Sequence, residues 1–255
     1  MTDIRTYTLP GFDGAALAVH EAGDEGGRPF FLMHGLFSSA QVNWIKYGHA
    51  ATLAEAGFRV IMPDFRAHGM SAAPQAPEAY PDHVLVKDML ALIDRLDLTH
   101  SDFNLGGFSL GARTTAALLI EGVRPRKAVL AGMGLAGLDR WSGRSRFYLD
   151  AIAMRETVKR DDPHFMAVMF MKTMKIDPEA ARLLLESSAD LDLAALLEID
   201  LPTGVICGDE DQDNGSAPQL AQALPDAHYY EVPGTHMSCI AKPELGRAIR
   251  DFLIG

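Results

Sequence analysis

Gly107-Phe108-Ser109-Leu110-Gly111 ends a short apolar run and opens an Ala/Leu-rich stretch. A serine held in a tight strand-to-helix turn needs small residues two before and two after it, where the backbone approaches itself too closely for side chains. Such a turn lifts the hydroxyl clear of a sheet and aims a helix N-terminus, with its free N–H groups, at a developing oxyanion. A nucleophilic serine also needs a base. Of nine histidines, His236 in Pro233-Gly234-Thr235-His236-Met237 stands in a Gly-bounded loop after the last apolar run. His34 follows a strand and His68 sits in a Gly-flanked turn. His20, His49, His83, His100, His164 and His228 lie in no Gly-bounded turn of that kind. An acid must then hold the imidazole's tautomer and stabilise its protonated form. Gly208-Asp209-Glu210-Asp211-Gln212-Asp213 offers candidates, and the residues alone do not choose among its three aspartates. The order Ser109, an aspartate near 211, then His236 is one of the known triad orders.

These residues need a scaffold, and the rest of the chain reads as one. Short runs rich in Phe, Val and Ile and stopped by Gly or Pro predict buried parallel strands. They are Phe30–Met33, Phe58–Met62, Phe103–Leu105, Ala128–Ala131, Thr203–Cys207 and His228–Val232. Between them, Leu85, Met89, Leu92 and Leu96 recur at helical spacing, and Leu110 to Glu121 ends at Gly122, a plausible C-cap. A last helix runs from Lys242 to Leu253. Strand–helix alternation predicts an α/β fold, its mostly parallel sheet covered by helices on both faces. The stretches near Ile4–Leu9 and Ala15–Glu21 have no helix between them and are expected to pair as a hairpin. Roughly 70 residues between Ala131 and Thr203 carry helical patterns only. We read them as an insertion, with the core at residues 1–134 and 200–255 and a helical cap at 135–199.

The chain resembles an α/β-hydrolase-fold serine hydrolase of esterase type, from Phe30 to Leu253. Four motifs carry the resemblance in order: His34-Gly35 after a strand; Asp64-Phe65-Arg66-Ala67-His68-Gly69-Met70-Ser71; the Ser109 turn; and the Gly208…Asp211 and His236 loops. The second is similar to the family's D-x-R-x-H-G-x-S turn, with Ala67 where Gly is frequent. The family sets its acid three residues after the glycine ending the penultimate strand, which implies Asp211 within the triad Ser109, Asp211 and His236. It builds its oxyanion hole from two backbone N–H groups, which implies Leu110 and Leu36, with Phe37 as runner-up for the second. Backbone donors place no demand on side-chain identity. His34, Asp64, Arg66 and His68 are expected to support that loop as hydrogen-bonded turn residues.

The insertion falls where the resembled family carries its cap. Met166, Met169 and Phe170 share one face at helical spacing, read either as packing of the cap on the core or as a pliable apolar ceiling. With Phe37 and Phe108 they are the expected substrate-binding residues. The resemblance implies a cofactor-independent hydrolase that cleaves a small ester, thioester or lactone through an acyl-enzyme on Ser109. Serine rather than aspartate at the turn argues against dehalogenase or epoxide-hydrolase chemistry, where a carboxylate forms the covalent ester. The same triad would serve a carbon–carbon bond hydrolase or a cofactor-free perhydrolase, and members of this fold also serve as small-molecule receptors. The motifs do not separate these, nor do they give an oligomeric state.

Other signals are weaker. Gly132-Met133-Gly134-Leu135-Ala136-Gly137 has the spacing of a dinucleotide fingerprint, but Leu138–Arg146 has an internal glycine and no apolar stripe. We expect a flexible hinge into the cap there, and no cofactor. Asp209, Asp211 and Asp213 alternate as in a calcium loop, yet the glycine at Gly215 is misplaced by one and no glutamate closes the loop. No C-x-x-C or H-E-x-x-H occurs, so no metal is expected. The net charge of −11, with no Lys/Arg cluster, disfavours a nucleic-acid partner and hints that anionic substrates are not steered in. The apolar runs are too short to span a bilayer, and the N-terminus lacks an apolar signal core. Two cysteines, Cys207 and Cys239, make no disulfide framework, so a cytoplasmic protein is expected.

Overall fold

The computed structural model describes residues 3–98, 103–139 and 141–255; His100 lies outside them. An eight-stranded sheet has the order β1-β2-β4-β3-β5-β6-β7-β8. Its strands are β1 (Ile4–Pro10), β2 (Ala16–Ala22), β3 (Arg28–Met33), β4 (Phe58–Pro63), β5 (Asn104–Phe108), β6 (Ala128–Ala131), β7 (Thr203–Gly208) and β8 (Ala227–Val232). The first two form the expected antiparallel hairpin, Ile4 opposite Ala22, and β2 pairs antiparallel with β4. From β3 to β8 every pairing is parallel. That register leaves β5, β6 and β7 buried along their whole length, which is why they read as unbroken apolar runs.

Side chains alternate across the sheet and divide the core. Phe30, Leu32, Val60 and Met62 face helices α1 (His49–Glu55) and α10 (Pro243–Ile254), which supply Leu53, Leu245 and Ile249. Phe31, Met33, Ile61 and Leu105 face α2 (Val84–Arg95) and α3 (Leu110–Ile120), which supply Met89, Leu92 and Ala116. Between β6 and β7 come α4 (Leu135–Asp139), α5 (Trp141–Ala153), α6 (Phe165–Thr173), α7 (Pro178–Glu186) and α8 (Leu193–Leu197), and α9 (Ala217–Ala223) links β7 to β8. The inserted helices join the second core through Trp141, Met171, Leu184 and Leu196.

The expected hinge is helical instead. Helices α4 and α5 occupy it, and the glycines serve close packing. A Cβ on Gly134 would lie 2.2 Å from the Gly215 carbonyl oxygen, and one on Gly137 would lie 2.8 Å from Asn214. Among the described residues no helix is long and apolar enough to cross a membrane.

Sheet order dictates where a site can form. The chain leaves β3 toward β4 on one side, then returns to lay β5 on the other. The loops after β3 and β5 therefore diverge at the carboxyl edge of the sheet and leave a crevice between them. Leu36 follows β3 and Ser109 follows β5.

Candidate active site

Ser109 occupies a backbone conformation that L-residues rarely adopt, φ 55° and ψ −111°. The two glycines make it possible. A Cβ on Gly107 would lie 2.4 Å from the Gly111 carbonyl carbon, and one on Gly111 would lie 2.4 Å from the Met33 carbonyl oxygen. The turn is pinned by the Ser109 N–H donating to the Ala131 carbonyl at 2.8 Å, while the Ser109 carbonyl accepts the Arg113 N–H at 2.9 Å to start α3. Strain of this kind costs about 1–3 kcal/mol and persists only where the surroundings over-determine it.

Across the crevice, the loop after β8 brings in His236. Its Nε2 lies 3.0 Å from Ser109 Oγ and its Nδ1 2.8 Å from Asp211 Oδ2, so the serine hydroxyl donates to Nε2 while Nδ1–H donates to the carboxylate. The Phe108 ring packs against the imidazole, centroids 4.9 Å apart. Asp211 is buried behind His236 and also accepts the Asp213 N–H at 3.0 Å and the Cys207 thiol at 3.4 Å. Burial alone would raise the Asp211 carboxyl, but the His236 hydrogen bond and charge, with these further donors, hold it below the usual carboxylate range. The other two aspartates are otherwise engaged. Asp209 accepts the Gly234 N–H at 2.7 Å, and Asp213 is exposed.

The loop after β3 is fixed one N–H at a time. Gly35 N–H donates to Asn43 Oδ1 at 3.0 Å, Phe37 N–H to His68 Nε2 at 2.9 Å, and Ala40 N–H to Asp64 Oδ1 at 2.8 Å. Between them, the Leu36 N–H donates to no group among the described residues, and neither does the Leu110 N–H at the start of α3. Phe37, the alternative donor, is already committed. The bond to His68 has a counterpart, because His34 Nε2 accepts the Phe65 N–H from the loop after β4 at 2.9 Å. Each loop thus lends a histidine to the other. Both rings must be neutral to accept. Burial lowers His34 from its ordinary value and pushes His68 down to about 3. Arg66 locks the second loop from below through Asp88 and Asp13.

The crevice beside Ser109 is lined by Leu36, Leu110, Arg113, Trp141, Arg144 and Tyr148, among others. None of the five expected substrate contacts is among these lining residues. Met166 and Met169 are exposed at 74% and 41%, on the outer side of α6, because Val168 and Met171 form its buried side. Phe170 is half-buried against the core, Phe108 lies behind His236, and Phe37 packs edge-on against Tyr148 at 5.7 Å. Arg113, Trp141, Arg144 and Tyr148 were not singled out from sequence, since no motif spacing marks a helix face that meets a crevice. Among the described residues, the one carboxylate–imidazole group close enough to hold a metal is Asp211, Asp213 and His236. Both His236 nitrogens are already engaged by Ser109 and Asp211, so that donor set does not fit a metal site.

A family model described as the alpha/beta hydrolase fold matches residues 28–159. Among curated proteins, the chain is similar to epoxide hydrolase A of Mycobacterium tuberculosis, 38% identical over 89 residues that cover 35% of this chain and 27% of that one. It is also similar to the dihydrolipoyllysine-residue acetyltransferase component of the acetoin cleaving system of Pseudomonas putida, 36% identical over 126 residues, 49% of this chain and 31% of that one. The matches therefore span less than a third of either relative's length. Among solved structures, a thermophilic esterase from Thermogutta terrifontis aligns over 98% of both chains with a TM-score of 0.77 at 22% identity, a likeness of fold.

Proposed function

Because the chain belongs to the alpha/beta hydrolase fold family, we propose that it is a serine hydrolase that cleaves a small ester, thioester or lactone through an acyl-enzyme on Ser109. His236 takes the Ser109 proton as Oγ attacks the carbonyl carbon. Asp211 holds the imidazole in the required tautomer and stabilises its protonated form. The oxyanion is received by the Leu36 and Leu110 N–H groups. His236 then returns the proton to the leaving oxygen or sulfur, and a water activated by the same imidazole releases the acid.

The observation that carries this reading is the unbroken chain from Ser109 Oγ through His236 to Asp211, at 3.0 and 2.8 Å, beside two backbone donors that have no partner among the described residues. Preorganised donors of this kind are the largest single contribution in many acyl transfers. The similarity to an epoxide hydrolase does not extend to this chemistry, since a serine stands where a nucleophilic carboxylate would be required. The helices between β6 and β7, which place Trp141, Arg144 and Tyr148 over the crevice, act as the cap.

A fluorophosphonate reporter and p-nitrophenyl acetate test the proposal. The native chain is expected to gain one phosphonyl group and to turn over the ester repeatedly. Ser109→Ala and His236→Ala should each lower kcat by at least 1000-fold, Ser109→Ala with an unchanged thermal midpoint. Full ester turnover by Ser109→Ala would end the proposal.

A further inference from the structure

Two arginines are equally deep in this protein and are treated differently. The Arg66 guanidinium is fully buried and meets both Asp88 and Asp13, in contacts of 2.7 to 2.9 Å. Arg113 is 95% buried by its 5% exposure, yet no carboxylate lies within ion-pair distance of it among the described residues. Its Nη2 donates to the Ala189 carbonyl at 2.6 Å, and its Nε has no partner among the described residues. The acid whose charge reaches it, Asp190, is turned to the Ser142 N–H at 3.0 Å. Buried charges are ordinarily paired, and an unpaired one is expensive. The guanidinium lies 4.9 Å over the Trp141 ring, and the Trp141 indole N–H is likewise buried without an acceptor. Two adjacent buried donors with no acceptor mark a place shaped for one.

That place belongs to the crevice. Arg113 and Trp141 line the cavity that holds Ser109, and both also line a second cavity behind it. Arg113 is one helical turn beyond Ser109, joined by its N–H to the Ser109 carbonyl, an axial rise of about 6 Å. Helical side chains lean toward the N-terminus, which here is the end that carries the nucleophile.

We propose that Arg113, backed by Trp141, anchors a carboxylate on the acyl part of the substrate, so that half-esters of short dicarboxylic acids are the favoured class. This rests on the serine-hydrolase reading above. An extended chain advances about 1.2 Å per bond, so three or four methylenes put the carboxylate about 5–6 Å from the reacting carbonyl, comparable to one helical turn. A planar guanidinium suits a carboxylate through two parallel hydrogen bonds. The chain's net charge of −11 does not oppose this, because exposed charges are screened beyond about 8 Å in physiological salt.

The test compares mono-p-nitrophenyl glutarate with its neutral methyl ester. The native enzyme is expected to favour the half-ester in kcat/KM by at least tenfold. Arg113→Gln should lower the ratio of the two kcat/KM values by about 100-fold, the size expected for one partner of a desolvated charge pair. Arg113→Lys, which keeps the charge and packs a similar stem, should recover most of that ratio. A native enzyme without preference, or an Arg113→Gln variant with the native ratio, overturns the anchor. Calorimetry of glutarate binding to Ser109→Ala gives a readout that needs no turnover, with binding expected there and lost in Ser109→Ala/Arg113→Gln. If neither ester is cleaved but glutarate binds in this way, the serine-hydrolase reading fails and the anchor stands. No glutarate binding to Ser109→Ala overturns the anchor whatever the activity.

Discussion

His68→Leu should damage catalysis although the ring touches neither nucleophile nor base. His68 Nε2 accepts the Phe37 N–H at 2.9 Å, and its Nδ1–H donates to the Arg66 carbonyl at 2.9 Å. Leucine fills similar volume and removes both bonds. A buried donor left without an acceptor costs about 1–3 kcal/mol, and the orphaned carbonyl adds to that, so about 3 kcal/mol of stability is at stake. For a chain of this size that lowers the thermal midpoint by about 6 °C. The catalytic loss follows from Phe37 itself, held at φ 57° next to Leu36. Without His68 to hold it, the peptide at Phe37 relaxes and the Leu36 N–H swings away from the oxyanion position. Removing one such donor outright costs 10²–10³ in kcat; misalignment costs a part of that, about 10- to 100-fold. Ester turnover and the rate of fluorophosphonate labelling should fall together. His68→Gln, whose amide oxygen can still accept the Phe37 N–H, should recover more than half of the loss on a logarithmic scale. A His68→Leu variant with the lowered midpoint but kcat within threefold of native would refute the idea that this hydrogen bond positions the oxyanion donor.

Three further outcomes test the scaffold. Gly111→Ala brings a methyl within 2.4 Å of the Met33 carbonyl, a backbone clash no side-chain rotation relieves, and should destabilise by about 3 kcal/mol or more in urea melts. Gly143→Ala, on α5 with open space around it, should instead stabilise by about 0.5–1 kcal/mol. Acid should weaken the fold through its neutral buried histidines. Between pH 6.5 and about 3 the unfolded chain binds a proton that folded His68 refuses, so stability rises with pH across that window. His68 alone accounts for a loss of about 2 kcal/mol at pH 5, with His34 and His49 acting in the same direction. A denaturant midpoint that stays flat from pH 7 to pH 5 would contradict this.

How much of this was legible in the sequence depends on whether a feature is enforced locally. The Ser109 turn was readable because a Cβ on Gly107 would strike Gly111 four residues on, a local clash, although Gly111 itself makes room for the distant Met33 carbonyl. The strands were readable because both faces of the sheet are covered, which forces short apolar runs. Helix α6 was not, because Phe165-Met166-Ala167-Val168-Met169-Phe170-Met171 is apolar all round. No period selects a face there, and the tertiary contacts that bury Val168 and Met171 rather than Met166 and Met169 are non-local. Arg113 was hidden for the same reason. Within an Ala/Thr-rich helix it reads as a solvated residue, and only the fold shows that no carboxylate among the described residues comes to meet it.

The histidines show what motif reading leaves unsaid. Loop position separated His236 from His34 and His68, but all three follow a strand at the same edge of the sheet, so position alone is a weak criterion. What distinguishes them physically is the partner of Nε2. In His34 and His68 that nitrogen already accepts a backbone N–H, at 2.9 Å in each case, and has no lone pair left for a hydroxyl proton. In His236 it faces a side-chain hydroxyl that can give its proton up. The two spent imidazoles are what bind the loops after β3 and β4 to each other. Of the N–H groups on either side of Leu36, His68 takes that of Phe37 and Asn43 Oδ1 takes that of Gly35, so between them the Leu36 N–H stands without a partner among the described residues, as the proposed oxyanion donor must.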